Sequence, residues 1–356
     1  MKTSSIFKDR LYSLPSSGRI TAAETKIIKR ILEHSKCDIS IDKLSLICVE
    51  EDYDFYEINS GDNIFELKFS LDCDSEKFIR EIKNIKNSKS IATSKYLDSG
   101  KVKVGDDILY LICQSVRSES LFDYGRSHLA TDLNLFCDFY EDYASKDNYR
   151  TVYKTILSKF LEESDMSSVF DQDQKSYIES HSDYSRCELI INNLKSDIKE
   201  RLKDIPKTYT GNIIGDFAKN SLFVNSEGFL FKDLRYGCKG HFYSDIANLV
   251  LFHGFNKKIE KAILDRVSDR MGVDLNQKLY EAFYEIQLRV KALQCLLQYL
   301  KEVYLYESSR IEIIISIIDC FSQNYKRFCT IPIVKDHRTF ILTNITEPVL
   351  ESKLED

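Results

Sequence analysis

The stretch that most constrains this chain is Gly215-Asp216-Phe217-Ala218-Lys219-Asn220-Ser221-Leu222-Phe223-Val224, followed after a short turn by Phe229-Leu230-Phe231-Lys232-Asp233-Leu234-Arg235. An acid opens a short loop, a polar pair closes it, and two apolar strands joined by a glycine-containing turn end on a second acid. Such a unit can aim two carboxylates at one point. One can orient a hydroxyl nucleophile while the other holds a magnesium ion on a nucleotide's phosphates, the minimum equipment for phosphoryl transfer.

The block resembles the aminoglycoside phosphotransferase and choline kinase-like branch of the protein-kinase-like superfamily. The loop of that family reads His-Gly-Asp, four residues, Asn, then a strand pair ending in Asp. Asp233-Leu234-Arg235-Tyr236-Gly237 stands where bacterial members carry Asp-Pro-Arg-Gly, and Ser244-Asp245-Ile246-Ala247 matches their Tyr-Asp-Leu-Ala. Ile214 occupies the family's His place and Ser221 its Asn place, with Asn220 one residue early. The resemblance implies that Asp216 is the catalytic base and that Asp233 binds magnesium, helped by Ser221, Asn220 or water. It also implies that Asp245 ties the catalytic loop to the large lobe; the plainer role for Asp245 is to cap a helix over Ile246 to Phe252. The plainer role for Asp233 is to cap the turn at Tyr236-Gly237. Arg235 either neutralises phosphate, meets an acidic substrate or pairs with Asp233.

Upstream, Ile20 to Glu33 has helical spacing, and residues 44–49, 54–58 and 63–69 read as three strands, the last two joined by the turn Asn59 to Asn63. Lys68 lies on the third strand. Ser75 can cap a helix whose apolar face is Phe78, Ile79, Ile82 and Ile85 and which carries Glu81, with Glu76 as a competing acid. A strand lysine followed by a helix glutamate resembles the pair that positions nucleotide phosphates in kinase-like folds. Lys101 to Val104 and Ile108 to Gln114 form another strand pair. It runs into Ser115 to Leu121, where the family's backbone reads the adenine edge, so Ser115 and Arg117 are expected beside the nucleotide. The lid Glu50-Glu51-Asp52-Tyr53 has no glycine and three acids, which is unfavourable near a triphosphate. Helices are expected from Asp132 to Phe160 with a break near Ser145 to Asn148, and over Cys187 to Leu202, Lys257 to Arg270, Gln277 to Leu305 and Ile311 to Phe328. Polar loops are expected at Asp171 to Lys175 and Ser180 to Asp183.

At 356 residues, 43% hydrophobic and 30% charged, the chain can bury a core of two lobes. A net charge of −6 argues against a broad nucleic-acid footprint. Ten scattered cysteines with no C-x-x-C pair fit reduced thiols, and six histidines, His241 among them as a solvated loop residue, show no metal-binding spacing. No apolar h-region follows Met1 to Ser5, and the run Ile311 to Ile318 falls short of the ~20 residues a membrane span needs, so a cytoplasmic protein is expected. No Walker loop and no G-x-G-x-x-G occurs.

The expected fold is α+β and two-lobed, protein-kinase-like: an N-terminal helical extension over 1–40, a small antiparallel β lobe with one helix over 41–117, and a mainly helical lobe over 118–356. The expected activity is ATP- and magnesium-dependent phosphorylation of a hydroxyl acceptor, a sugar or glycoconjugate by resemblance, with protein serine or threonine as the alternative acceptor. Ile214, Ser221 and the glycine-free lid suggest an alternative of a different class, a nucleotide-binding scaffold without turnover. A helical interaction protein with an accidental match is the third reading. The choice between ATP and GTP and the oligomeric state stay open.

Overall fold

The computed structural model describes residues 20–49, 53–116, 118–120, 132–146, 149–164, 184–216, 221–225, 227–305 and 326–336. In chain order these form α1 (Ala22–His34), β1 (Lys43–Val49), β2 (Asp54–Ser60), β3 (Asn63–Ser70), α2 (Glu76–Asn87), β4 (Lys95–Val104), β5 (Asp106–Ser115) and β6 (Glu119–Ser120). Then come α3 (Leu133–Lys146), α4 (Tyr153–Glu163), α5 (Tyr184–Asp204), β7 (Gly211–Ile213), β8 (Leu222–Val224), β9 (Phe229–Phe231) and β10 (Cys238–Gly240). Last are α6 (Phe242–His253), α7 (Lys257–Arg270), α8 (Gln277–Leu305) and α9 (Pro332–Asp336). The architecture is α+β, as expected. The acidic lid residues 50–52, the two expected polar loops and all but the end of the expected helix Ile311 to Phe328 lie outside the described residues.

Contacts group the chain into two compact units, Met1–Tyr149 with Ala218–Gly237, and Arg150–Phe217 with Cys238–Asp356. The first is built on an antiparallel sheet of order β1-β2-β3-β5-β4. The hairpin between β2 and β3 turns on Gly61, whose φ of 57° lies in the left-handed region that suits glycine, so the turn is tighter than the expected Asn59 to Asn63. Alternation along the strands sorts side chains to two faces. Tyr56, Ile58, Leu67, Phe69, Ile108, Tyr110 and Ile112 pack against Ile27, Ile28 and Ile31 of α1. That helix starts at a capping box in which Thr21 and Glu24 satisfy each other's backbone N–H groups. The opposite alternation carries Phe55, Glu66, Lys68, Leu111 and Cys113, all buried. Burial on both faces explains why β5 reads as a continuous apolar run from Ile108 to Cys113.

The β8–β9 hairpin joins this unit through aromatic packing. Phe229 meets Phe136, and Phe231 meets Tyr140 and Tyr143 of α3, at ring-centroid distances of 5.2–6.3 Å. Thr93 forms a parallel bridge with Phe231, and β6 pairs with β8.

In the second unit α8 packs on α6 and α5. Every residue of α6 is buried. The short antiparallel pair β7–β10 sets Ile213 opposite Cys238 and delivers the chain to Ile214-Gly215-Asp216. No helix among the described residues is long and apolar enough to cross a membrane.

Candidate active site

Within the first unit, Ser75 caps α2 by accepting the N–H of Phe78, as expected. The inward face of that helix differs from the expected one: Phe78 and Ile85 are buried, but Glu81 and Asn84 share the face, while Ile79 and Ile82 are only half-buried. Glu81 therefore points at the sheet, where its Oε1 accepts from the Lys68 ammonium. Glu76 is exposed, so Glu81 is the partner of Lys68. The ammonium also donates to the Lys232 carbonyl at 2.6 Å and lies 4.8–4.9 Å from the Tyr53 and Phe55 ring centroids. Asn84 Nδ2 donates to the carbonyls of Leu234 and Gly237 at 2.9 and 3.1 Å, pinning α2 to the turn after Asp233.

Asp233 stands just past β9, where Lys232 N–H bonds to the Ser221 carbonyl at 3.1 Å, so Ser221 and Asp233 flank the same hairpin mouth. Both are buried. Of the three alternatives for Arg235 the structure has one: its Nε donates to Asp233 Oδ1 at 2.9 Å and its Nη2 to Oδ2 at 2.7 Å. The Arg235 N–H adds a bond to Oδ1 at 3.2 Å, so Asp233 also serves the turn.

A second buried pair escaped the sequence reading. Lys232 Nζ lies 2.5 Å from Glu66 Oε1 and 4.3 Å from the Phe223 ring centroid, and both side chains are buried. The Ser115 hydroxyl, at the end of β5, also bonds to Glu66. Glu66, Lys68, Glu81, Lys232, Asp233 and Arg235 thus form an interior cluster of three acids and three cations.

Burial and pairing set the ionisation here. Burial penalises the Asp233 carboxylate, but the Arg235 guanidinium outweighs it and holds Asp233 below the usual range. Glu66 goes the same way, burial being outweighed by Lys232. Burial also opposes the Lys68 charge, yet Glu81 and Asp233 raise its pKa above the ordinary value. Glu81 is pushed up to about 7, first by burial and then by the Asp233 charge, against the pull of Lys68. Its Oε2 has no hydrogen-bond partner among the described residues, consistent with the acid that takes up the proton most readily.

In the second unit, Gly215 has φ 84°, a left-handed turn, and its N–H donates to Asp245 Oδ1 at 2.9 Å. The Ile214 N–H donates to Asp245 Oδ2 at 2.7 Å. Asp245 therefore fastens the loop that carries Asp216. It does not cap a helix starting at Ile246, because α6 begins at Phe242 and is capped by His241, whose Nδ1 accepts from the Tyr243 N–H at 3.3 Å. The expectation of a solvated His241 fails for the same reason. The ring is 5% exposed, stacks on Tyr243 at 4.4 Å, and burial lowers its pKa to about 4.

Asp216 is held by three side chains. Lys291 Nζ donates to Oδ1 at 2.6 Å, Asn248 Nδ2 to Oδ1 at 3.3 Å and Gln294 Nε2 to Oδ2 at 3.4 Å. Behind them Gln287 Nε2 donates to Tyr153 Oη and Ser244 Oγ at 2.8 and 2.7 Å. None of these supports was singled out from sequence. The available signal was the polar series Gln287, Lys291, Gln294 at i, i+4 and i+7 in a part of α8 whose other residues, Arg289 apart, are apolar.

The structure thus brings together Lys68, Glu81, Asp233, Ser221 and Ser115 in one unit and sets Asp216 in the other. Arg117 and Asn220 lie outside the described residues. Among those residues no three His, Cys, Asp or Glu side chains gather as a metal cage. Magnesium needs none, since it is commonly bound by one or two carboxylates plus substrate phosphates, and the oxygens of Asp233 and Ser221 have the right hardness. The carboxylate that would hold the ion is the one that Arg235 grips through both oxygens.

No protein-family model matches the sequence, and no curated protein matches it. Solved structures do. Choline kinase LicA from Streptococcus pneumoniae is 14% identical with a TM-score of 0.56, over 86% of this chain and 99% of that one. Spectinomycin phosphotransferase APH(9)-Ia, in complex with ADP and spectinomycin, is 11% identical with a TM-score of 0.54, over 84% and 93%. A thermostable mutant of aminoglycoside phosphotransferase APH(4)-Ia is 14% identical with a TM-score of 0.54, over 81% and 97%. The fold is the aminoglycoside phosphotransferase and choline kinase-like one that the 215–235 block led us to expect.

Proposed function

We propose that this aminoglycoside phosphotransferase-like chain is an ATP-dependent kinase that phosphorylates a hydroxyl group of a small molecule, with magnesium as its metal. The observation that carries the reading is the buried Lys68–Glu81 pair beside Asp233. Burying charge is costly, and apolar residues of similar volume would be as stable or more so, so an interior cluster of this kind points to a site that handles charged substrate. Spectinomycin phosphotransferase, choline kinase and the APH(4)-Ia enzyme are small-molecule kinases by their names, which supports a small acceptor over a protein.

In this reading Lys68, oriented by Glu81, neutralises phosphate oxygens, and the end of β5 at Ser115 offers backbone groups to the base. Magnesium, held by Asp233 and Ser221, would supply further neutralisation of the phosphates. Asp216 orients the acceptor hydroxyl and accepts its proton as the new O–P bond forms and the bond to the departing ADP oxygen breaks. Positioning and electrostatics account for most of the rate in such transfers. A cytoplasmic setting fits the substrate ATP.

Arg235, which occupies both oxygens of Asp233, favours a second reading as a nucleotide-binding scaffold without turnover. ATP consumption by the purified chain with magnesium and a panel of hydroxyl acceptors, against Asp216→Ala, decides between them. The kinase reading expects turnover that falls about 10²-fold or more in the variant. Equal inertness with retained ATP-dependent thermal stabilisation sinks it in favour of the scaffold, and loss of that stabilisation as well sinks both.

A further inference from the structure

Charge around Asp216 is already balanced before any acceptor arrives. The Lys291 ammonium, on a side chain 6% exposed, sits 2.6 Å from Asp216 Oδ1 and 5.5 Å from the Phe252 ring centroid. Among the described residues, Asn248 and Gln294 donate amide N–H to the same carboxylate, and Asn248 in turn reaches Gln287 Oε1 at 3.5 Å. Asp245 accepts from the backbone N–H groups of Ile214 and Gly215. Asp216 itself keeps 16% of its side-chain surface exposed, so it can still meet a substrate.

We infer that Lys291 sets the class of acceptor, and that the site takes a neutral hydroxyl compound such as a sugar or polyol rather than a cationic amine. The inference rests on the kinase reading above. A lone buried carboxylate attracts a cation, whereas a carboxylate matched by an ammonium at hydrogen-bond distance presents no net charge. A second ammonium brought to Asp216 meets the first, and like-charge contact of this kind is how sites reject wrong partners. Gln294, half-buried beside the same carboxylate, carries an amide with both donor and acceptor atoms, the complement of a sugar hydroxyl. α8 supplies Lys291 and Gln294 from one face, because residues three apart recur on one side of a helix.

Matched acceptors test the inference: N-acetylglucosamine against glucosamine and inositol against kanamycin, each with ATP and magnesium, reading kcat/KM. Wild type should favour the neutral member by about tenfold or more. Lys291→Gln should shift that ratio toward the amine by about fivefold or more, with the KM for ATP within about twofold, and Lys291→Arg should preserve it. If Lys291→Gln does not fold, Gln294→Glu, which adds negative charge beside Asp216 and keeps the lysine, must produce the same shift. Amines turned over as well as their neutral partners, or a ratio unmoved in the folded variants, overturn the inference alone. A wild type inert on all four compounds overturns the kinase reading, and this inference with it.

Discussion

Arg235 holds Asp233 as a two-pronged fork, Nε to Oδ1 at 2.9 Å and Nη2 to Oδ2 at 2.7 Å, with its guanidinium 4.8 Å from the Tyr53 ring centroid. A guanidinium bonded to both oxygens competes with a divalent ion for the same carboxylate. Arg235→Gln should therefore destabilise the chain by about 3–5 kcal/mol in metal-free buffer, by stranding a buried charge. Magnesium should restore part of that loss in the variant and change wild type little, because binding only the native state stabilises it. Urea unfolding with and without magnesium checks this, and equal magnesium effects on both proteins would show that Arg235 does not compete.

The Glu66–Lys232 pair makes a separate prediction about coupling. Lys232→Met alone leaves Glu66 unpaired in the interior and should cost about 3–5 kcal/mol, whereas Glu66→Leu with Lys232→Met should recover most of it. Denaturation of the single and double variants completes the cycle. Additive losses would contradict a direct interaction.

Glu81, with a pKa of about 7 against an ordinary 4.5, takes up a proton on folding between those values. Its contribution is complete below pH 4.5 and is lost as pH rises toward 7. Wild type should lose on the order of 1–3 kcal/mol relative to Glu81→Gln between pH 5 and 7. A pH-independent difference between the two unfolding free energies would refute the raised value.

His241 acts in the opposite sense. Its folded pKa of about 4 lies below the ordinary 6.5, so the unfolded chain binds the proton first and stability falls as pH drops through that interval. His241→Asn keeps a capping acceptor at the start of α6 and removes the titration. Its melting temperature should decline less than that of wild type between pH 6.5 and 4.5.

Asp245→Ala removes both acceptors for the Ile214 and Gly215 N–H groups. Each unsatisfied group costs about 1–3 kcal/mol, and the loop bearing Asp216 should lose hydrogen-exchange protection at those two amides. Phosphoryl transfer should fall with it, while α8 keeps its protection.

Much of the first unit was legible in the sequence because local signals and tertiary packing agree there. Alternation places β2 and β3, Ser75 marks the start of α2, and Lys68 and Glu81 meet as the resemblance to kinase-like folds implies. Glu66–Lys232 was hidden because Glu66 lies on β3 and Lys232 just past β9, far apart in sequence, and only the folded chain buries them together. Lys291 was hidden by sequence distance, standing 75 positions from Asp216. β7 and β10 are three residues each, too short for any periodicity to mark. His241 misled because a polar residue between two glycine-containing stretches reads as a loop, while the rings of Phe242, Tyr243 and Phe283 around it make it interior.

The β8–β9 hairpin belongs to the first unit although the residues on either side of it belong to the second. Neither half of this molecule can therefore be obtained by trimming an end. A fragment stopping at residue 149 would expose the flank of α3 that Phe229 and Phe231 cover, and a fragment starting at 150 would carry an orphaned apolar ribbon. Dissection of the two halves requires excising the ribbon and grafting it onto the N-terminal piece.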